Sequence, residues 1–230
     1  MVAMTPTLLD LTEVPLREAN RALRALPAGA HALVSNPRGQ HNIAVGLDTA
    51  ITVTIDGPGG YYVGGLGKHA AIEVNGPVGW GVGENLMSGQ VVVHGNASQS
   101  AAASARGGTI VVHGDAGHRA GISLKGAHLA IAGDAAAFTG FLAQAGTILI
   151  GGDAGANLGD SLYEAVIYVA GRISGLGTDA RVEELTDTDV RAVRELAARA
   201  GFDHVDAENV TRVASAKQLY HFTTHAAGSY

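Results

Sequence analysis

The sequence predicts an all-β protein, a single-stranded right-handed parallel β-helix of about seven 19-residue coils with a short N-terminal helix and a C-terminal helical extension. Three observations support this: a glycine recurs every 19 residues, paired aliphatic residues precede each glycine, and further columns repeat at the same interval. A fixed period near 20 indicates one supersecondary unit stacked on copies of itself. The predicted turn glycines are Gly57, Gly76, Gly95, Gly114, Gly133, Gly152 and Gly171.

The paired aliphatic residues before each glycine alternate with a period of two, as in Val53 and Ile55 or Ile148 and Ile150. This alternation, rich in β-branched side chains, predicts a short strand with one buried face. No repeat holds an apolar pattern long enough for a helix, which excludes a helical solenoid. Seven strands stacked about 4.8 Å apart would form a rod of roughly 35 Å.

Other columns support the same coil. Seven positions after each glycine comes a predicted corner, where the backbone needs a positive φ or approaches the next coil closely. Ten positions after it, large and small apolar residues alternate, as a stacked interior column requires. The corner column is Gly64, Gly83, Ala102, Gly121, Gly140 and Gly159, and the interior column is Leu86, Ala105, Leu124, Ala143 and Leu162.

The predicted organisation is an N-terminal helix and lead-in over 1–45, the repeats over 46–180, and a C-terminal helix and tail over 181–230. In the first part, Leu16, Ala19, Leu23 and Leu26 share one helical face, with Thr12 as the candidate N-cap. In the last, Thr186 or Asp187 can cap a helix that ends at Gly201. Helices at both ends would cover the open edges of the β-helix.

Composition and charge exclude several functions. The formal net charge is −6, which argues against binding through phosphate contacts and so against a nucleic-acid partner. The chain has no cysteine, which excludes disulfides, thiolate zinc sites and iron–sulphur ligation by this chain. The beginning of the sequence lacks a secretory pattern, and no apolar run reaches membrane length. We expect a cytoplasmic protein without a membrane partner.

Three features suggest a ligand site but have simpler explanations. The glycine-rich segments GPGGYYVGGLGKH and GPVGWGVGEN match neither nucleotide motif, so we interpret their glycines as coil corners. His94 and His113 occupy the same slot in successive coils, so their rings should lie about 5 Å apart. No carboxylate shares that slot, and a hydrogen-bonded or partner-facing pair is favoured over a metal site.

The acidic column Asp115, Asp134 and Asp153 lacks the nine-residue calcium repeat, and we expect each carboxylate to bond its own turn. Ser88, Ser104, Ser123 and Ser161 indicate a turn or a polar face. We therefore assign no catalytic, cofactor-binding or metal-ligating residue to this chain.

An apolar stripe, made of Val92, Val111, Ala130, Leu149 and Tyr168, should point outwards on consecutive strands. A solvated strand face would be polar, so this stripe indicates a buried interface. Its cover can be either a flanking helix or another subunit. Within it, Val92, Val111, Leu149 and Tyr168 are candidate interface residues. Tyr220 and Phe222 join them, because KQLYHFTTHAAGSY is too apolar to be a free tail.

The repeats NGPVGWGVGENLMSG, HGDAGHRAGISLKGA and GGDAGANLGDSLYEA resemble the GXGXG repeat of the family that includes the C-terminal domain of the glutamate synthase α-subunit. Formylmethanofuran dehydrogenase carries a similar repeat in one of its chains, and both families form right-handed parallel β-helices. The segments NPRGQHNIAVGL, GNASQSAA, FLAQAG and the terminal LYHF and AGSY resemble more closely the stand-alone glutamate-synthase-like β-helix subunits. The B subunit of N-methylglutamate synthase is typical of these, and the similarity covers nearly the whole chain after residue 35.

This resemblance implies a structural subunit, itself not catalytic, in a hetero-oligomer with an amidotransferase-like subunit and an FMN-dependent synthase-like subunit. The implied reaction converts methylamine and L-glutamate into N-methyl-L-glutamate and ammonia. FMN is expected on the synthase-like partner, with an iron–sulphur cluster there as an open question, and no cofactor is expected on this chain. The alternative is a scaffold in another glutamate-synthase-like or formylmethanofuran-dehydrogenase-like complex.

Overall fold

The structure is a computed structural model and describes residues 5–217. The described residues form eleven strands and two helices. The strands are β1 (Thr7–Asp10), β2 (His31–Ser35), β3 (Thr52–Asp56), β4 (Ala71–Val74), β5 (Gln90–Val93), β6 (Thr109–Val112), β7 (Lys125–Ile131), β8 (Ala145–Ile150), β9 (Val166–Val169), β10 (Ala180–Glu183) and β11 (Thr211–Ser215). The helices are α1 (Leu16–Ala25) and α2 (Asp187–Ala200).

Strands β1 to β9 pair in chain order, each parallel to the next, so the chain winds into a parallel β-solenoid of about seven turns. This confirms the predicted fold class. The inward residues of each strand are buried, as Val53 and Ile55 illustrate at 0% exposure. The alternating interior column from Leu86 to Leu162 is buried as well.

A further coil precedes the first turn glycine. Strand β2 pairs with β3, with His31 opposite Thr52, 21 positions further along the chain. Asn42, Ala44 and Gly46 adopt positive φ values, as the corner residues of later coils do. This coil is longer than 19 residues, and the register of β2 with β3 puts Asn36, not a glycine, in the slot of Gly57. The 19-residue period alone therefore could not indicate it.

The corners of the coil are left-handed, as predicted. Gly64, Gly83, Gly121, Gly140 and Gly159 have φ between 65° and 74°, and Ala102 adopts φ 60° in the same column. A Cβ added at Gly121 or Gly140 would lie 2.6 Å from an isoleucine of a following strand. The corner thus needs both a left-handed backbone and close packing.

The turn glycines serve a different purpose, because only Gly57 among them has a positive φ. A Cβ at Gly95 would lie 2.8 Å from the backbone nitrogen of Pro77 and 2.9 Å from the carbonyl carbon of Gly76. The coils therefore approach so closely at this column that no side chain fits.

The acidic column next to these glycines forms a ladder between coils. The side chain of Asn96 accepts a hydrogen bond from the backbone nitrogen of Asp115, whose own carboxylate accepts one from Asp134. The Asp134 carboxylate accepts from the backbone nitrogen of Asp153 at 2.7 Å, and the Asp153 carboxylate accepts from the backbone nitrogen of Arg172 at 2.8 Å. The prediction that each carboxylate bonds its own turn is therefore wrong, because its acceptor oxygen faces the next coil.

Helix α1 covers the first coils. Ala19 and Leu23 are buried, and Leu16 and Leu26 pack against the core, as expected. Thr12 is not the N-cap: the helix follows Pro15, and Thr12 instead donates hydrogen bonds to Asp10.

Asn20 fixes α1 to the corner of the first coil. Its amide nitrogen donates to the Asn42 carbonyl at 2.8 Å, and its amide oxygen accepts from the Ala44 backbone at 2.9 Å.

At the other end, the direction of the sheet changes. β11 inserts between β9 and β10 and runs antiparallel to both, which ends the parallel stacking. Helix α2 precedes it, and Thr186 caps the helix in a capping box with Asp189. Gly201 ends the helix with φ 73°, which confirms both predicted boundaries.

Candidate interaction surface

The outward apolar stripe lies under helix α2. Val111, Ala130, Leu149 and Tyr168 are all less than 5% exposed. They form a second core with residues of α2 and of the segment after it: Val193, Leu196, Ala197, Ala200, Phe202, Ala207 and Val210. The flanking helix, rather than another subunit, is therefore what covers the stripe in this structure.

Val111, Leu149 and Tyr168 thus belong to the second core, as the flanking-helix alternative predicts, and their role as interface residues stays a prediction. Val92 lies at the margin of the second core and is partly buried. Tyr220 and Phe222 lie outside the described residues, so the prediction for the tail stays a prediction.

A buried polar network holds α2 on the sheet. The Tyr168 hydroxyl donates to Asp189 at 2.5 Å, and Arg212 of β11 donates to the same carboxylate oxygen at 3.0 Å. Arg212 also pairs with Glu183 of β10. Burial alone would raise the pKa of Asp189, but hydrogen bonds from Thr186, Tyr168 and Arg212 outweigh it and lower that pKa to about 2.

The His94 and His113 rings stack with their centroids 4.9 Å apart, which confirms the predicted spacing. A carboxylate does reach them: Glu73, on the preceding strand, lies 2.6 Å from His94 Nε2. Burial, followed by the proximity of His94, lowers the pKa of His113. Within residues 5–217, no group of three or more His, Asp or Glu residues could hold a metal ion.

Three exposed aromatic residues and a histidine gather at one corner of the early coils. His41 stacks on Tyr61 with centroids 4.2 Å apart, and Tyr61 stacks on Trp80 at 5.4 Å. Tyr62 meets the Tyr61 ring edge-on at 6.5 Å. Tyr61, Tyr62 and Trp80 are 40%, 43% and 46% exposed. We call His41, Tyr61, Tyr62 and Trp80 the aromatic corner.

Glycines make room for the aromatic corner. A Cβ at Gly79 would lie 2.6 Å from Tyr61 Cδ1, and one at Gly81 would lie 2.7 Å from Tyr62 Cδ1. The Tyr61 backbone nitrogen donates to His41 Nδ1 at 2.8 Å, which orients the imidazole beneath the stack. The glycine-rich segments that suggested nucleotide loops thus seat a row of rings.

Glu84 borders the aromatic corner. A Cβ at Gly81 would lie 2.8 Å from Glu84 Oε2 as well as beside Tyr62, so ring and carboxylate meet above this glycine. Burial raises the pKa of Glu84. Among the described residues, no side chain forms a hydrogen bond or an ion pair with this carboxylate.

Sequence reasoning missed the aromatic corner, although a signal was present. Tyr61 and Trp80 are one period apart, which places them in the same slot of successive coils. The glycines on both sides dominate the local pattern, and they indicate a corner without indicating what the corner carries.

Together these features define a parallel β-helix protein that covers one outer face with its own helix and exposes rings at one corner. No family model matches the sequence. Over 225 residues, the chain is 48% identical to the protein GlxC of Rhizobium meliloti (strain 1021), covering 96% of this chain and 99% of that one. The chain therefore belongs to the GlxC family.

Neither described helix is long and apolar enough to cross a membrane.

Proposed function

We propose that this chain is the structural subunit of a glutamate-synthase-like complex in the cytoplasm. It would hold an amidotransferase-like subunit and an FMN-dependent synthase-like subunit without supplying a catalytic residue of its own. The observation that carries this proposal is the aromatic corner, since exposed aromatic residues grouped at one place are typical of protein interfaces. The relationship to GlxC and the GXGXG-like repeats support the choice of complex.

The proposed reaction of the whole complex forms N-methyl-L-glutamate and ammonia from methylamine and L-glutamate. FMN would be bound by the synthase-like subunit, where an iron–sulphur cluster is a further candidate. A scaffold in another glutamate-synthase-like or formylmethanofuran-dehydrogenase-like complex is the second candidate, because those families share the repeat.

Co-purification tests the structural role. The tagged chain, co-expressed with an amidotransferase-like and a synthase-like subunit, should retain a partner with flavin absorbance. Replacing Tyr61 and Trp80 together by serine should release that partner, because it removes two exposed rings at the centre of the corner. The matched control replaces Leu142 and Tyr163, which are exposed on later coils, by serine and should retain it. A chain that emerges alone and monodisperse contradicts the proposal.

An activity assay on the purified complex separates the two candidates. Formation of N-methylglutamate from methylamine and glutamate supports the first. A complex that assembles but uses only another amine or a formyl donor supports the second.

A further inference from the structure

We propose that Tyr62 and Glu84, which meet above Gly81 next to Trp80 in the chain, form a binding site for a guanidinium group, and that its occupant is an arginine side chain of a partner protein. The naming of a partner protein rests on the proposed function. The site itself is defined by this chain alone and is testable without the partner.

The first argument is the charge of the site. Glu84 is partly buried next to Tyr62, and no cation of the described chain lies close enough to offset the burial that raises its pKa. A bound cation would offset the negative charge of the Glu84 carboxylate, and hydrogen bonds from the cation to this carboxylate would be charge-assisted.

The second argument is the shape of the site. Tyr61 and Tyr62 lie nearly perpendicular, at 84°, and the Trp80 ring continues the Tyr61 stack with an interplanar angle of 20°. The negative faces of aromatic rings attract cations, with tryptophan the strongest. The Tyr62 ring beside the Glu84 carboxylate suits a planar group that can stack and donate hydrogen bonds in the same plane. A guanidinium does both, whereas an ammonium is a point charge.

The third argument comes from the same column of the rod. Tyr62 and Gly81 share one slot of the repeat with Arg119 and Phe138. Arg119 lies three coils after Tyr62, and Phe138 lies four coils after it. There the Arg119 guanidinium carbon lies 6.0 Å from the centre of the Phe138 ring. The corner geometry therefore already places a guanidinium over a ring once within this chain.

The site has a convenient reporter, because Trp80 is the single tryptophan of the chain. The indole N–H signal of ¹⁵N-labelled full-length protein can be followed by NMR during titration with N-acetyl-arginine amide. N-acetyl-citrulline amide, which is neutral and similar in shape, serves as the control ligand. We expect a saturable shift with the arginine compound and about tenfold weaker binding of citrulline.

Variants localise the effect. Glu84→Gln should weaken arginine binding about tenfold, since it removes the charge and keeps the size. Glu73→Gln, which removes a carboxylate that contacts His94 instead, should leave the binding unchanged.

Equal shifts with arginine and citrulline, or no shift with either, would overturn the inference even if Glu84→Gln failed to fold. The outcomes also separate the inference from the proposed function. A flavin-bearing partner captured by a chain that ignores arginine defeats only the inference. Arginine binding by a chain that captures no partner leaves the site in place and defeats the proposed function.

Discussion

The Tyr168 hydroxyl donates a 2.5 Å hydrogen bond to the carboxylate of Asp189, which joins the last strand of the parallel sheet to the first turn of α2. Asp189 is also the residue that completes the capping box with Thr186. A single carboxylate therefore both begins the helix and attaches it to the sheet.

Removing this hydroxyl should destabilise the whole chain. Tyr168→Phe leaves the ring buried but takes one donor from a buried carboxylate, and we expect the free energy of unfolding to fall by about 2 kcal/mol. Chemical denaturation measures it. Tyr163→Phe, at a tyrosine 49% exposed, should change the stability by less than about 0.5 kcal/mol. Equal losses in both variants would show that the hydrogen bond is unimportant.

The same carboxylate predicts a pH dependence at the acid end. The folded pKa of Asp189, about 2, lies below its ordinary value of 3.8, so folding favours the ionised form. Its stabilisation is complete above the unfolded pKa and is lost as the pH falls towards 2, by about 2 kcal/mol in total. Unfolding curves of wild type and Asp189→Asn should therefore converge as the pH falls from about 5. Curves that stay parallel would refute the assignment.

The turn glycines should not tolerate a side chain. Gly95→Ala places a Cβ against the backbone of the preceding coil, which cannot move without disturbing its neighbours, and we expect a loss of about 1–3 kcal/mol. Thermal denaturation provides the comparison. Gly175→Ala is the matched control, since a Cβ there meets nothing within 4 Å, and its stability should be unchanged. If both glycines tolerate alanine equally, close coil contact is not what requires glycine.

The acidic ladder needs an acceptor oxygen more than a charge. Asn96 fills the first place of the series with an amide oxygen, so Asp134→Asn should keep the stability within about 0.5 kcal/mol. Asp134→Ala leaves the Asp153 N–H without its partner and should cost about 1 kcal/mol. Chemical denaturation of both variants in parallel measures the two losses in stability. If calcium changed the stability of the wild type alone, the column would instead be the calcium site that its 19-residue spacing disfavours.

The sequence predicted those parts of the fold that repeat. Strands, corners and interior columns could be read from it because each position is sampled several times in equivalent surroundings, as Leu86 and Leu124 are. The α2 boundaries were equally accessible, since Thr186 and Gly201 act through local backbone bonds. Both kinds of signal depend on residues that are close in the sequence or that occupy equivalent positions in adjacent coils.

What escaped prediction depends on contacts that occur once. The first coil departs from the 19-residue spacing, and the insertion of β11 between β9 and β10 is set by packing at the end of the rod. Glu73 reaches His94 from a different slot, so comparing equal slots could not reveal it. The cover over the stripe was open from sequence because an apolar outer face is compatible with either a helix or a subunit.

The hydrogen bonds from each coil to the next carry an evolutionary consequence. A residue inserted at the Asn96–Asp153 column, or within a strand without a bulge such as the one between β7 and β8, would move the donors of that coil away from their acceptors on the adjacent coil. Members of the family should therefore differ in rod length by whole coils, about 4.8 Å each, while smaller changes in length accumulate only at the ends. The 21-residue first coil, which lies at the N-terminal end of the regular coils, marks where such a change is tolerated.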